Sequence, residues 1–414
     1  MGREQLRRDA LRIIEEAFWL SRPDEAVRRA LEKISPGRGK IILVAVGKAA
    51  WQMAKTAADC LGDRYEKGYV ITKYGHFKGE IPRIEIMEAG HPVVDDNSVK
   101  ATETVLEAVQ SLSSEDQVLF LLSGGGSALF EKPKIPLEEL KKINQSLLAC
   151  GADIGEINQI RKRLSMVKGG RFAKLCEPAR VTAIILSDVV GDHPEMIASG
   201  PAYPDSASEE EVLEIIKKYD LSFSETVMKA LKEDPVTTLN HVETYVTGGV
   251  GQLCRSAAQL CRKAGYETEI LTDTLTCEAR EAGSFLGSVA AFQVKKGVRK
   301  AFVAGGETIV HLKGTGKGGR NQEIALAAAE EIAGLERVVV ASASSDGTDG
   351  PTDAAGGIVD GTTRECLKEK GISIFETLKR NDSYHALQAA DGLILTGPTG
   401  TNVNDVALIL IAEE

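Results

Sequence analysis

The chain has 414 residues, 43% of them hydrophobic and 27% charged, with a formal net charge of -10 and a mean hydropathy of -0.11. That length exceeds one ordinary core and fits two or three domains, while no run approaches the roughly 18 to 20 unbroken apolar residues of a membrane span. The acid excess speaks against a nucleic-acid footprint, which needs clustered Lys and Arg, so an anionic ligand requires a local basic pocket.

The opening MGREQLRRDALRIIEEAFWL mixes acids with its arginines and has no apolar stretch ending in a cleavage site. It reads as an amphipathic helix and not a secretion signal, so a cytoplasmic protein is expected. Seven cysteines without a CxxC pair fit reduced thiols better than disulfides or zinc.

Short aliphatic runs follow: KIILVAVG (40–47), YVITK (69–73), RIEIMEAG (83–90), DQVLFLLSG (116–124) and RVTAIILSD (180–188), with amphipathic patterns such as NSVKATETVLEAVQSL between most of them. Continuous apolar strands separated by helices predict an α/β fold with a mainly parallel, Rossmann-like sheet, whose ligands sit beyond the carboxyl ends of the strands. Alternation restarts with HVETYVTGG, YETEILTD, RKAFVAGGET, RVVVASASSD, DGLILTG and DVALILIA. The Pro-, Ser- and charge-rich stretch before this second set places a domain boundary near residue 238, giving domains 1–238 and 239–414.

Polar residues gather where strands end. Ser123, Gly124, Gly125, Gly126 and Ser127 form a strand-to-helix corner whose bare amides can cradle an anion, although it is neither a Walker loop nor GxGxxG. Lys48 follows the first strand and brings an ammonium to the same end of the sheet. The segment GEINQIRKRLSMVKGGR (155–171) is the densest basic cluster, read either as a surface for a polyanionic substrate or as a solvated helix face. In KGTGKGGRNQEIALAAA (313–329) a glycine-rich loop delivers Arg320, whose fork suits oxyanions.

Acids cluster as Asp188 and Asp192 in LSDVVGD, as Asp346, Asp349 and Asp353 in SSDGTDGPTDAAGG, and as Glu307 in AGGET. The second group lacks the closing glutamate of an EF-hand; carboxylates of this kind suit magnesium or a hydroxyl proton. Histidines show no zinc-protease spacing and the serines no GxSxG elbow.

VAVGKAA, EAGHPVVDDNS, LLSGGGSAL, INQIRKRLSMVKGGR, LSDVVGD with IASGP, GGET, KGGRNQE, SDGTDGPTDAAGG and GPTGTNVND, in that order, resemble the glycerate 2-kinases of the MOFRL type. The resemblance implies two α/β domains, with the active site in the cleft between them. It also implies ATP and a divalent cation, and phosphorylation of D-glycerate to 2-phosphoglycerate. Lys48 and Arg320 match the family's lysine and arginine. On that reading Lys48, Arg320, Asp188 and Asp192 are catalytic. Ser123, Gly124, Gly125, Gly126, Ser127, Asn158 and Lys168 hold the nucleotide, and Asp188, Glu307 and Asp346 hold Mg2+. A homodimer is kept as an option. An NAD(P)-dependent hydroxypyruvate reductase and a non-catalytic sugar-acid-binding protein remain the alternatives.

Overall fold

The structure, a computed structural model, describes residues 2–35, 37–187 and 193–413. It resolves into two compact bodies, one of residues 26–187 with 193–247, the other of residues 2–25 with 248–413.

In the first body, β1 (Ile41–Val46), β2 (Lys67–Lys73), β3 (Ile84–Ala89), β4 (Gln117–Leu122), β5 (Arg180–Ile185) and β6 (Val242–Val246) form one sheet in the order β3-β2-β1-β4-β5-β6. Every neighbouring pair is parallel. β1 and β4 are buried along their whole length, as their unbroken aliphatic sequence demands of strands covered on both faces. Strand order reverses between β1 and β4, where Val46 lies in register with Leu122. Such a switch point opens a crevice, because the crossovers on its two sides depart in opposite directions.

β6 corrects the expected division, since HVETYVTGG closes the first sheet and does not open the second. The Pro- and Ser-rich stretch ahead of it is no linker. It carries the helices Glu209–Lys218 and Glu225–Leu231, whose Val212, Ile215, Val227 and Leu231 pack with Ile143, Leu147, Ile157 and Ile160 in one apolar cluster.

The second body holds a mixed sheet of β7 (Glu267–Leu275), β8 (Lys300–Gly306), β9 (Val338–Ser344), β10 (Gly356–Asp360), β11 (Leu393–Ile394) and β12 (Asp405–Ile411), ordered β11-β10-β9-β12-β8-β7. β12 is antiparallel to both β8 and β9, so its first residue meets their last: Asp405 pairs with Gly306 on one side and with Ser344 on the other. The helix Arg3–Leu20 belongs to this body, burying Leu6, Ala10, Ile13, Ile14 and Ala17 at helical spacing. Arg7 pairs with Asp360 at 2.8 Å, and Tyr266 donates to Asp9 at 3.0 Å. Among the described residues no helix is long and apolar enough to cross a membrane.

Candidate active site

At the switch point of the first sheet two turns are tied together. Gly47 has φ +121°, and a side chain there would collide with Ser123. The Lys48 amide donates to the Gly124 carbonyl at 2.9 Å, and the Ser123 amide to the Val46 carbonyl at 2.9 Å. Ser123 was expected at a ligand surface, yet its hydroxyl is buried and accepts from the Ala49 amide at 3.1 Å. It joins the two strand ends.

The corner itself turns at Gly125, φ +89°, where a Cβ would lie 3.1–3.2 Å from His91 and from the Lys48 stem. Lys48 is exposed. The helix that follows is the single turn Gly126–Leu129, too short for a sizeable macrodipole, so any anion-binding capacity rests on the bare amides and on Lys48.

Beneath the corner lies a strained support. Ala198, Ser199 and Gly200 are successively left-handed, at φ 51°, 59° and 64°. A non-glycine residue in that region costs on the order of 1–2 kcal/mol and persists only where its surroundings impose it. Here Gly169 and Gly170, themselves at positive φ, donate amides to the Ser199 and Gly200 carbonyls at 3.0 and 2.8 Å. Ser199 Oγ donates to Asn158 Oδ1 at 3.0 Å and stands 3.3 Å from Ser127 Oγ. The MVKGGR and IASGP segments therefore form one scaffold. Asn158, expected at the nucleotide, is buried in it.

The basic cluster at 155–171 does not form a charged surface. Lys168 is fully buried against Glu131 at 2.5 Å and the Phe130 carbonyl at 3.1 Å; burial pushes its ammonium down, and Glu131 opposes that. Arg163 is buried against the Glu233 and Ala207 carbonyls, and Lys162 pairs with Asp205 at 3.3 Å. Arg161 is bonded to Asn144 at 2.8 Å. Neither a polyanion surface nor a solvated face describes this segment, because its side chains close the core between helices. Lys168 in particular stands in an internal ion pair.

The carboxyl edge of the second sheet carries the other charged set. The helix Arg320–Glu331 opens on Arg320, whose Nε and Nη2 fork onto Asp405 at 2.5 and 3.1 Å while Nη1 reaches Glu307 at 3.4 Å. Asn404 Nδ2 donates to the other Glu307 oxygen at 3.1 Å. The topology explains the meeting, since Glu307 follows β8 and Asp405 begins the antiparallel strand beside it. Burial works against the Arg320 charge, but Asp405 and then Glu307 outweigh it and raise its pKa. Asp405 is raised as well, because burial exceeds the opposing pull of Arg320.

The three acids of SSDGTDGPTDAAGG have separate tasks. Asp346 Oδ1 accepts from Ser344 Oγ, the Thr348 amide and Thr348 Oγ1 at 2.9–3.1 Å. Asp349, buried, caps the 320–331 helix by accepting the Asn321 and Gln322 amides at 3.1 and 2.9 Å, and burial raises its pKa to about 6. Asp353 accepts from the Tyr384 hydroxyl at 2.7 Å. Asp188 and Asp192 lie outside the described residues. Among the described residues no three Asp, Glu, His or Cys side chains converge into a ready metal cluster.

Asp405, Asn404 and Ser199 went unassigned from sequence. The ND pair at the start of the closing strand is the only local signal for the first two, and an antiparallel β12 is what gives it meaning; Ser199 is marked by nothing beyond its place in IASGP.

Fold and site together define a class: a two-body α/β protein with a Rossmann-ordered sheet, a glycine corner and a lysine at its switch point, and an Arg–Asp–Glu set at the edge of a second, mixed sheet. Residues 9–232 match a domain of unknown function (DUF4147), and residues 300–405 match the MOFRL family. The chain is 51% identical to a D-glycerate 2-kinase of Thermotoga maritima, over 99% of each sequence. A Thermotoga maritima glycerate kinase crystal structure superposes with a TM-score of 0.93 at 50% identity, covering 99% of this chain and 100% of that one. An Agrobacterium vitis relative, provisionally named a hydroxypyruvate reductase, is 38% identical over 90% of this chain and 88% of its own. The protein belongs to the glycerate kinase family of MOFRL type.

Proposed function

We propose that the protein is an ATP-dependent glycerate 2-kinase. It moves the γ-phosphoryl group of ATP onto the 2-hydroxyl of D-glycerate, releasing ADP, 2-phosphoglycerate and a proton. Whole-length identity of 51% to a D-glycerate 2-kinase is the observation that carries this reading.

The residues divide the work by chemistry. The amides of Gly124, Gly125 and Gly126 with the Ser127 hydroxyl take phosphate oxygens, and Lys48 neutralises charge on the transferring group. Phosphoryl transfer is loose and needs little covalent help, so placement and charge neutralisation supply most of the acceleration. Asp405 positions Arg320 by engaging Nε and Nη2, leaving the outer edge of the guanidinium to hold the glycerate carboxylate or the phosphoryl oxygens. Asp188 or Asp192 accepts the hydroxyl proton.

Mg2+ is assigned to Glu307, Asp346 and Asp188. Of that donor set, Glu307 is half exposed and shares the Arg320 guanidinium with Asp405, so a hard cation there would compete with Arg320 for the carboxylate. Magnesium commonly takes one or two carboxylates and completes its shell with phosphates and water. When bound, it neutralises charge on the triphosphate.

The name of the Agrobacterium relative favours one second reading, NAD(P)H-dependent reduction of hydroxypyruvate. Against it, the turn after β1 is VGKAA and not GxGxxG, so the pyrophosphate-binding amides of a dinucleotide site are missing there. A coupled ADP-release assay with D-glycerate, with and without chelator, separates the readings. Metal-dependent ADP release with 2-phosphoglycerate as product supports the kinase; NADH oxidation by hydroxypyruvate without ADP release overturns it.

A further inference from the structure

The helix Ala279–Val294 shows two very different faces. Inward, Ala282, Gly283, Leu286, Gly287 and Ala290 are buried, and the glycines let it press onto the 320–331 helix. A Cβ at Gly283 would sit 2.8 Å from that of Ala327, and one at Gly287 would sit 2.7 Å from that of Glu331. Outward, Phe285 is 62% exposed and Phe292 61%, with half-buried Val289 between them. Single exposed phenylalanines are ordinary, but two rings seven residues apart on one helix fall two turns from each other and form a stripe.

Charge brackets the stripe in a telling order. Glu281 lies one turn before Phe285 and Lys296 one turn after Phe292, both exposed, with the Lys296 ammonium 5.0 Å above the Phe292 ring. If two such helices meet antiparallel about a twofold axis midway between residues 288 and 289, Phe285 falls opposite Phe292 of the partner subunit. Glu281 then falls opposite Lys296 of the partner subunit, and each contact occurs twice. Parallel pairing instead sets Glu281 against its own copy and Lys296 against its own. The small Ser288 stands at the crossing, where close approach is needed.

We propose that this face is the interface between two copies of the chain, formed by antiparallel self-pairing of the 279–294 helix. The occupant is a second copy because the helix is its own electrostatic complement when reversed. Phe375, 72% exposed, lines a neighbouring groove of about 700 Å³ with Arg280, Glu281 and Ser284 and extends the apolar area beside the stripe. Four partly exposed rings, at roughly 150–250 Å² for each ring wholly buried, supply at most about half of a standard ~1,600 Å² interface. The dimer is therefore moderate in strength and dilution-sensitive.

Sedimentation velocity on the full chain, loaded between about 1 and 100 µM, tests this. The wild type should move from monomer to dimer across that range. Phe292→Asp should stay monomeric. Lys296→Glu should weaken dimerisation about tenfold or more, and Glu281→Lys with Lys296→Glu should restore it, since the reversed pair is complementary again. A wild type that is monomeric throughout overturns the proposal. So does a dimer indifferent to Lys296→Glu, or a double reversal as weak as the single one. Should Phe292→Asp fail to fold, the exposed Glu281 and Lys296 variants decide alone.

Discussion

Lys48 and Lys168 are lysines of the same body, each beside a glycine, and they differ in what surrounds the ammonium. Lys168 is fully buried against Glu131, while Lys48 sits exposed at the sheet's switch point beside the glycine corner. A buried lysine must be paired, and pairing makes it part of the core; an exposed lysine at a strand end keeps its charge for a ligand. Density of positive charge along the sequence thus marked side chains that the fold buries, whereas position at a strand terminus marked one that it leaves exposed.

The sharpest way to break that contrast is to remove both ammonium groups separately. Lys48→Ala should cost about 100- to 1,000-fold in kcat, the ~3–4 kcal/mol typical of a lost oxyanion-type contact, with the melting temperature unchanged. Steady-state ADP release with a thermal melt reads both; near-normal turnover would take Lys48 out of the chemistry. Arg320→Ala should lose turnover on a similar scale and also some stability, because Asp405 is then left buried without its partner.

Lys168→Met should do the reverse. Stranding Glu131 in the interior should destabilise the fold by about 3–5 kcal/mol, and adding Glu131→Leu should recover much of it, since an apolar pair can replace a buried ion pair. Denaturant unfolding measures this. A Lys168→Met protein of native stability and lowered ATP affinity would put that lysine back at the nucleotide.

The central strands β1 and β4 of the first sheet were legible because they are buried on both faces and written as unbroken aliphatic runs. In the second sheet β8, β9 and β12 were legible for the same reason. β10 was not, since GGIVD opens with two glycines and offers only three residues of strand signal. β6 was assigned to the wrong sheet because a half-buried edge strand reads weakly and follows a stretch that resembles a linker. Within the candidate site, Lys48 and Glu307 were marked by strand-end position and Arg320 by the glycine-rich loop that opens its helix. Asp405 was not, because nothing local says that β12 runs backwards between β8 and β9. Ser123 shows the converse: correctly placed at the corner, its hydroxyl is spent on the Ala49 amide, a detail that belongs to φ angles and not to composition.

Asp349 and Asp346 sharpen the comparison at the second sheet, because only the former is buried. Burial raises the Asp349 pKa to about 6, so the folded state holds its proton more tightly than the unfolded chain. The stability this contributes is present below the unfolded value near 4 and is lost as pH rises through about 6, roughly 3 kcal/mol in all at ~1.4 kcal/mol per pKa unit. Asp349→Asn should flatten that part of the stability profile between about pH 4 and 6.5, seen as a smaller fall in melting temperature than in the wild type. An unchanged slope would mean that Asp349 titrates normally.

The smallest effect lies at the exposed end of the basic segment, on Glu156. Its carboxylate accepts from the Lys218 ammonium at 2.6 Å, the Tyr219 hydroxyl at 2.7 Å and the Asp153 amide at 3.1 Å, closing a capping box at the start of the Ile154–Arg163 helix. These bonds, Lys218 foremost, lower its pKa to about 2. The sign is therefore opposite to that of Asp349: the contribution is present above the unfolded value near 4.5 and disappears as pH falls through about 2. Solvent screens the pair, so Glu156→Gln should cost little at neutral pH and still less in high salt. Melting curves at pH 3 and pH 7 should show the variant nearer to wild type at the lower pH. A larger deficit at pH 3 than at pH 7 would show that the capping geometry, and not the charge, is what Glu156 contributes to the helix carrying the buried Arg163.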